Sequence, residues 1–289
     1  PMMDLTLANL YPSATQRPIW PLMFITVACG AISGFHATQS PIVSRTLKNE
    51  KEGRWVFYGA MVAEGIIAMV WASAAIAFFW NKDGSGTGLK ALLDIGGGNS
   101  KSVYAICTGL LGKVGGAIAM IGVIACPITS GDTAFRSARM IIFDWFHLDE
   151  KKLNVRLSIA APLLLIGYGI SFINYTVVWR YFSWSNQTLA MIVLWTGGAY
   201  LATNYPNRNR CWIAVIPATF MSAVSVTYLM YAPECFNLVR LGMQGITISY
   251  VVGIVFAAIF FVIFMVRIYM NPKRSLENQQ KIIIGRVHN

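Results

Sequence analysis

Long apolar runs separated by short polar segments occupy most of the chain. A helix needs about twenty apolar residues to cross the hydrocarbon core of a bilayer. Seven runs approach or exceed this length and predict transmembrane helices: Ile19 to Thr38, Trp55 to Trp80, Tyr104 to Ile128, Leu157 to Trp179, Thr188 to Ala202, Trp212 to Tyr231, and Ile246 to Val266. The fifth run is the shortest. The pattern predicts an all-α integral membrane protein with about seven transmembrane helices, forming a single domain over residues 1–289.

Polar residues and glycines interrupt the first run near its midpoint. Residues 29–41 read CGAISGFHATQSP, so that two glycines, three hydroxyls, an imidazole and an amide precede a proline. Glycine and proline free backbone groups that a membrane tolerates only where they face protein or a water-filled cavity. The run therefore predicts a discontinuous helix that stops at Pro41, and such helices line the binding sites of transporters.

Composition agrees with the membrane class, and the positions of the charges predict an orientation. Hydrophobic residues make up 56% of the chain and charged residues 12%. With seven crossings, 16 of the 23 Lys and Arg residues fall on the side that holds the C-terminus. The positive-inside rule makes that side cytoplasmic, which predicts a cytoplasmic tail at 267–289 and an extracytoplasmic loop at 81–103. A nucleic-acid partner is disfavoured, because it needs Lys and Arg clustered with aromatic residues on a soluble face.

The five cysteines and three histidines are scattered along the chain. Structural metal sites need grouped His, Cys and carboxylate residues, and redox or zinc motifs need closely spaced cysteine pairs. We therefore expect no metal and no cofactor. The chain begins with Pro1 instead of Met, which fits a portion of a longer protein.

Several segments of the chain follow one another in an order that is typical of a known family. The interrupted run is followed by Tyr58-Gly59-Ala60-Met61 with Glu64 close behind. Later segments read TSGDTAFRSAR from Thr129 and WSNQTLA from Trp184. On these motifs the chain resembles the carbon starvation protein A (CstA) family over about residues 19–202, and more weakly after that.

The resemblance implies a secondary active transporter of the inner or plasma membrane. Its cargo would be peptides or small carboxylates such as pyruvate, and its coupling ion a proton, with sodium as the alternative. The resemblance also implies a relationship to the amino acid, polyamine and organocation transporters, whose LeuT-like fold has two inverted repeats, each opened by a broken helix. The seven runs then correspond to the second repeat plus extra helices. The partners would be the substrate, the lipid bilayer and the N-terminal part of the transporter.

Glu64 lies near the middle of the second run, among apolar residues. A charged carboxylate at membrane depth costs a few kcal/mol or more, so Glu64 has to be paired or protonated. Two roles stay open for it: proton coupling, and a hydrogen bond that ties two helices together.

Two sets of polar residues are candidates for substrate binding. One lies in the interrupted run, where freed backbone and side chains can contact amide or carboxylate groups. The other is the amide pair at the start of the fifth run, which can gate the outer side for an anionic substrate. The candidates are Ser33, Gly34, His36, Thr38, Gln39, Asn186 and Gln187. The structural alternatives are close helix packing at the glycines, a hydrogen-bonding histidine, and an interfacial aromatic belt around the amides.

Thr129 and Ser130 end the third run, just before Asp132. Sodium-coupled transporters with the LeuT-like fold offer adjacent hydroxyls of the eighth helix to the ion, and hard cations prefer oxygen ligands. The resemblance therefore makes these three residues candidates for ion or proton coupling, together with Glu64. Asp132 also stands four residues before Arg136, which is the spacing of an intrahelical ion pair, so a structural role stays open.

Two other function classes compete with transport. The first is a membrane sensor or scaffold in the starvation response, although a carboxylate at membrane depth and a broken helix are costly unless they are used. The second is an intramembrane protease. Ser33-Gly34 resembles the motif of rhomboid-like serine proteases, but Ala31 replaces a glycine of that motif and no histidine lies in another run to act as the base. We therefore expect the chain not to be an enzyme.

Overall fold

The computed structural model describes residues 19–26, 33–79, 99–149, 152–173, 175–205 and 207–270. All regular structure within these residues is helical. The α-helices are α1 (Ile19–Thr26), α2 (Gly34–Thr46), α3 (Ala60–Phe79), α4 (Asn99–Phe146), α5 (Leu153–Ile170), α6 (Tyr175–Asn204), α7 (Trp212–Tyr231) and α8 (Gly242–Phe264). The prediction of an all-helical protein is confirmed for the described part of the chain.

Short 3₁₀ or π segments extend three of these helices. They are Glu50–Glu52 and Arg54–Gly59 before α3, Arg208–Cys211 before α7, and Leu238–Leu241 and Met265–Tyr269 on either side of α8. Among the described residues, five stretches are long and apolar enough to cross a membrane: Glu50–Phe79, Ser102–Phe146, Leu153–Ile170, Arg208–Tyr231 and Leu238–Tyr269. They overlap the second, third, fourth, sixth and seventh predicted runs, and the total of seven stays a prediction.

The first and fifth predicted runs take other forms. The first falls partly on two shorter helices, α1 and α2, and residues 27–32 lie outside the described part. The prediction that this run stops at Pro41 is wrong, because α2 continues to Thr46. A proline removes only one backbone donor, and the Ser44 hydroxyl donates to the Pro41 carbonyl at 2.9 Å. The fifth run lies within α6, which begins earlier, at Tyr175.

The predicted end of the third run is also wrong. The apolar run ends at Ile128, but α4 continues to Phe146. Hydropathy reports transfer into lipid, whereas a helix continues wherever backbone hydrogen bonds can form, so polar residues do not end it. The long helix is divided instead at Gly112, whose φ of 69° lies in a region that glycine adopts without strain.

The fourth predicted run crosses a helix boundary. Helix α5 ends at Ile170, although the apolar residues Phe172 and Ile173 follow it. The Ser171 hydroxyl donates to the Tyr168 carbonyl at 2.6 Å and satisfies one of the last carbonyls of the helix. Trp179, the predicted end of this run, therefore belongs to α6.

The predicted loop and tail fall mostly outside the described residues. Residues 81–98 of the loop are not among them, and residues 99–103 form the start of α4. Residues 267–269 of the tail are helical, and residues 271–289 are not among the described ones. The sidedness of both segments stays a prediction.

Helix packing divides the described residues into two compact units, those within 38–181 and those within 19–37 and 182–270. In the first unit, almost none of the apolar stretches of α3, α4 and α5 is buried, as expected for helices that face lipid or further protein. In the second unit, 56% of the apolar stretch of α7 is buried. Small residues let α7 and α8 approach closely, since Gly253 lies against the Thr227 hydroxyl and the Ala223 carbonyl.

Arg208 links the start of α7 to the end of the α8 segment. Its guanidinium donates to the carbonyls of Ile268, at 2.8 Å, and Tyr269, and it lies 5.2 Å from the centre of the Tyr269 ring. These carbonyls end a helix and have no partner within it. We expect Arg208→Met to lower the free energy of unfolding by about 1.5–3 kcal/mol, the usual range for hydrogen bonds to a charged group.

Heating in detergent, with the folded fraction read out by size-exclusion chromatography, measures this loss of stability. Arg210→Met is the matched control, because Arg210 contacts only a ring, that of Tyr205 at 5.9 Å, among its described contacts. An equal loss of stability in both variants would contradict the linking role of Arg208.

Cys235 lies in the turn between α7 and α8, outside the membrane-spanning stretches. Burial raises the pKa of its thiol, and the negative charge of Glu234 raises that pKa further, because both disfavour the thiolate. Only the thiolate is nucleophilic. In a variant that keeps Cys235 as its single cysteine, alkylation by iodoacetamide should therefore accelerate only at a higher pH than in the unfolded chain. Glu234→Gln should move this acceleration to lower pH, and an unmoved rate profile would exclude the electrostatic cause.

Candidate functional site

A buried asparagine and a serine close the first turn of α2. The Phe35 N–H donates to Asn186 Oδ1 at 2.7 Å, and Ser33 Oγ lies 3.2 Å from the same nitrogen. Asn186 Nδ2 donates to Ser33 Oγ at 3.1 Å. The first N–H groups of a helix have no partner within it, so Ser33 and Asn186 act together as the N-cap of α2. The helix therefore begins at Gly34, within the first predicted run.

Gly34 permits the close approach of α2 to α6. A Cβ atom at this position would overlap the Asn186 carbonyl and would lie 2.7 Å from the Leu189 Cβ and 3.0 Å from the Ala190 nitrogen. Only glycine fits here without a shift of the α6 backbone. This contact holds Asn186 within hydrogen-bond reach of the first turn of α2.

Gln187, the next residue on α6, holds the end of α1. Its Nε2 donates to the Phe24 carbonyl at 2.9 Å, in the last turn of α1. The side chain is 1% exposed, and its Oε1 has no hydrogen-bond partner among the described residues. A buried acceptor without a partner costs about 1–3 kcal/mol. This oxygen is therefore suited to accept a hydrogen bond from a bound molecule or to contact an ion.

The two adjacent amides thus contact two helix ends, the carboxyl end of α1 and the amino end of α2. A helix carries partial negative charge at its carboxyl end and partial positive charge at its amino end. Carboxylates bind favourably at amino ends and cations at carboxyl ends. The arrangement can therefore hold an anionic group beside α2 and a cationic group or ion beside α1.

The prediction that Asn186 and Gln187 stand at the start of a helix is wrong, and their position relative to the membrane interface stays a prediction. Helix α6 begins at Tyr175, and Asn186 is only 6% exposed. The amides lie inside the helix and are buried, because the helix ends supply hydrogen-bond partners that lipid lacks.

A second layer of polar contacts supports this part of α6. Thr188 Oγ1 and Ser225 Oγ lie 2.7 Å apart, and Trp184 Nε1 donates to the Ser225 carbonyl at 3.3 Å. Trp184 and Thr188 stand four residues apart, on one face of the helix. That spacing, within the segment WSNQTLA, is the sequence feature that could have identified them. No sequence feature could have identified the Phe24 carbonyl as a partner of Gln187, because a backbone carbonyl is present in every residue.

The other predicted substrate residues all lie on α2. His36 is half-buried in the first turn, and Gln39 is half-buried one turn later. The Thr38 carbonyl accepts a hydrogen bond from Ser137 Oγ of α4 at 3.3 Å. Ser33, Gly34, Asn186 and Gln187 are therefore brought together in the second unit, whereas Thr38 and Gln39 belong to the first.

Glu64 is half-buried and belongs to the first unit. It is the fifteenth residue of the stretch Glu50–Phe79, and so lies at the middle of a candidate membrane span. Ile66 and Ile67 beside it are exposed. Its position within a candidate span agrees with the sequence, and its depth in the membrane and its coupling role stay predictions.

Thr129, Ser130 and Asp132 lie inside α4 and not at its end. Asp132 pairs with Arg136, with an oxygen–nitrogen distance of 3.4 Å and both side chains more than half exposed. Thr129 Oγ1 donates to the Cys126 carbonyl at 2.9 Å. The predicted intrahelical ion pair is confirmed, and ion coupling by these residues stays a prediction. Within the described residues, no group of three or more His, Cys, Asp or Glu side chains could hold a metal ion.

Comparison with known proteins identifies the family. Residues 2–80 match the family model described as carbon starvation protein CstA. An uncharacterized protein of Haemophilus influenzae is 48% identical over 126 residues, which is 44% of this chain and 89% of that protein. The chain belongs to the CstA family. It is a multi-pass membrane protein, and the resemblance drawn from its motifs is confirmed.

Two named transporters are also similar to this CstA family chain. The peptide transporter CstA of Bacillus subtilis is 27% identical over 259 residues, 74% of this chain and 42% of the transporter. The pyruvate/proton symporter BtsT of Escherichia coli is 32% identical over 135 residues, 40% of this chain and 19% of the symporter. The chain thus spans less than half the length of these two relatives. No solved structure matches it.

Proposed function

We propose that this chain forms part of a secondary active transporter that imports peptides or small carboxylates, such as pyruvate, by proton symport. One observation carries the proposal: neighbouring buried amides, Asn186 and Gln187, contact the carboxyl end of α1 and the amino end of α2. Helix ends at membrane depth are a recurrent form of transporter binding site. The relatives named as transporters support the same class of function.

The proposed mechanism assigns a role to each part of the site. A substrate carboxylate binds beside the first turn of α2, with Ser33 and Asn186 as its neighbours, and an amide or ammonium group contacts Gln187 Oε1. Glu64 carries the coupled proton, and a sodium ion at Thr129, Ser130 and Asp132 is the alternative. The proposed fold is the second inverted repeat, with extra helices, of a LeuT-like transporter. It lies in the inner or plasma membrane with its C-terminus in the cytoplasm.

Uptake into proteoliposomes tests the proposal. The native transporter that contains this chain is reconstituted, and labelled pyruvate and a labelled dipeptide are supplied under a pH gradient and then under a sodium gradient. We expect one of them to accumulate against its gradient when the pH gradient is imposed. Uptake driven only by the sodium gradient would mean that sodium, and not the proton, is the coupling ion. Absence of uptake by folded and oriented protein would favour the sensor or scaffold function.

A further inference from the structure

The first unit contains a groove that the proposed transport site does not use. It has a volume of about 450 Å³ and lies between α4 and α5. Its lining includes the cations Arg136 and Arg139 and the apolar residues Ile128, Leu163 and Leu164. The groove therefore joins positive charge to an apolar wall.

The charges in the groove favour an anionic occupant. Asp132 is the one acidic residue in its lining, and it pairs with Arg136 at 3.4 Å. Arg139 is the second cation of the lining, and its buried Nε has no hydrogen-bond partner among the described residues. Two guanidinium groups against one carboxylate leave a net positive charge, and a guanidinium fork matches the oxygens of a phosphate.

The order of residues along α4 matches the shape of a phospholipid. Ile128, Asp132, Phe135 and Arg139 follow one face of the helix at spacings of three or four residues. With a rise of about 1.5 Å per residue, Arg139 lies roughly 16 Å along the helix from Ile128. Arg136 and Arg139 follow Ile128, where the apolar run of α4 ends. A headgroup phosphate fits the cations while an acyl chain covers the apolar wall.

We propose that this groove binds an anionic phospholipid, with its phosphate on Arg139 and Arg136 and an acyl chain against α5. Basic grooves between membrane helices bind anionic headgroups through the same combination of contacts. The proposal rests on the membrane location of α4 and α5 and not on transport, so it stands or falls separately from the proposed substrate.

Lipid binding to the purified 289-residue chain in detergent tests the proposal, with native mass spectrometry as the readout. We expect phosphatidylglycerol to be retained in preference to phosphatidylcholine. Arg139→Gln should weaken the apparent affinity for phosphatidylglycerol by about fivefold, since one cation near anionic lipid contributes that much. Arg156→Gln is the matched control, because Arg156 is exposed on α5 and does not line the groove.

Three results would overturn the proposal. The first is equal retention of the two lipids. The second is unchanged affinity in Arg139→Gln. The third is complete release of phosphatidylglycerol by excess inorganic phosphate, which would indicate a site for free anions. If Arg139→Gln does not fold, Arg136→Gln and Arg139→Lys replace it: the first should weaken binding, and the second should restore most of it.

Discussion

Replacing Glu64 with glutamine should abolish uphill accumulation of the substrate while leaving exchange of substrate across the membrane. The amide keeps the size and hydrogen-bonding capacity of a protonated carboxyl group but cannot release a proton. With one proton per substrate, a pH difference of one unit supports about tenfold accumulation. In Glu64→Gln we expect this accumulation to disappear, so that the substrate concentration inside the proteoliposomes only reaches the concentration outside. Uptake under an imposed pH gradient, beside counterflow without a gradient, measures the two activities separately.

Glu52→Gln is the matched control for this prediction. Glu52 is exposed in the short 3₁₀ segment before α3, outside the apolar part of the span. The same chemical change there should leave accumulation intact. Proton-driven accumulation that survives in Glu64→Gln would assign Glu64 the structural role, and loss of both accumulation and counterflow in a folded protein would do the same.

Gly34→Ala should disrupt the contact between α2 and α6 and remove transport. The added methyl group overlaps the Asn186 carbonyl and lies 2.7 Å from the Leu189 Cβ, so the two helices have to separate. Overpacking of this kind costs about 1–3 kcal/mol. Separation also moves Asn186 away from the Phe35 N–H, so we expect substrate binding to be lost even where the protein still folds. Thermal unfolding in detergent and substrate binding to the same samples measure the two effects.

Gly197→Ala provides a control of opposite sign on α6. A Cβ atom at Gly197 meets nothing within 4 Å. Alanine stabilises a helix interior by up to about 1 kcal/mol relative to glycine, so this variant should be as stable as the wild type or more stable, with unchanged binding. Equal behaviour of the two alanine variants would contradict the close approach at Gly34.

The features of the fold that were predictable from sequence are those with a local physical cause. Polar residues at membrane depth marked the interrupted run, because lipid cannot satisfy a freed backbone, and α2 indeed begins at Gly34. The ion pair between Asp132 and Arg136 follows from helical spacing alone, and it is present at 3.4 Å.

The helix boundaries were less predictable, because hydropathy and helix formation are different properties. Helix α4 extends 18 residues beyond the end of its apolar run at Ile128, to Phe146. Helix α5 ends at Ile170 inside an apolar run, through a hydrogen bond of the Ser171 hydroxyl. Mean hydropathy does not show that a helix continues into polar residues, and it does not show a helix end that is set by one local hydrogen bond.

The site itself was predictable by residue type and not by geometry. Ser33, Gly34, Asn186 and Gln187 were all candidates, but Asn186 and Gln187 were expected to begin a span, and they lie inside α6. Their true partners are distant in sequence: Gln187 bonds to the Phe24 carbonyl, 163 residues away. Contacts of this range depend on how the helices pack, and a backbone acceptor leaves no trace in the sequence.

The affinity of an anionic substrate for the Asn186→Asp variant tests the central claim most directly. Aspartate keeps an oxygen that accepts the Phe35 N–H, so the cap of α2 can persist, but it adds a negative charge where the substrate carboxylate is proposed to bind. We predict that pyruvate, or whichever acid is transported, binds at least about tenfold more weakly, while a dipeptide with an amidated C-terminus is affected less. Unchanged or tighter binding of the acid to folded Asn186→Asp would contradict a carboxylate site at the first turn of α2.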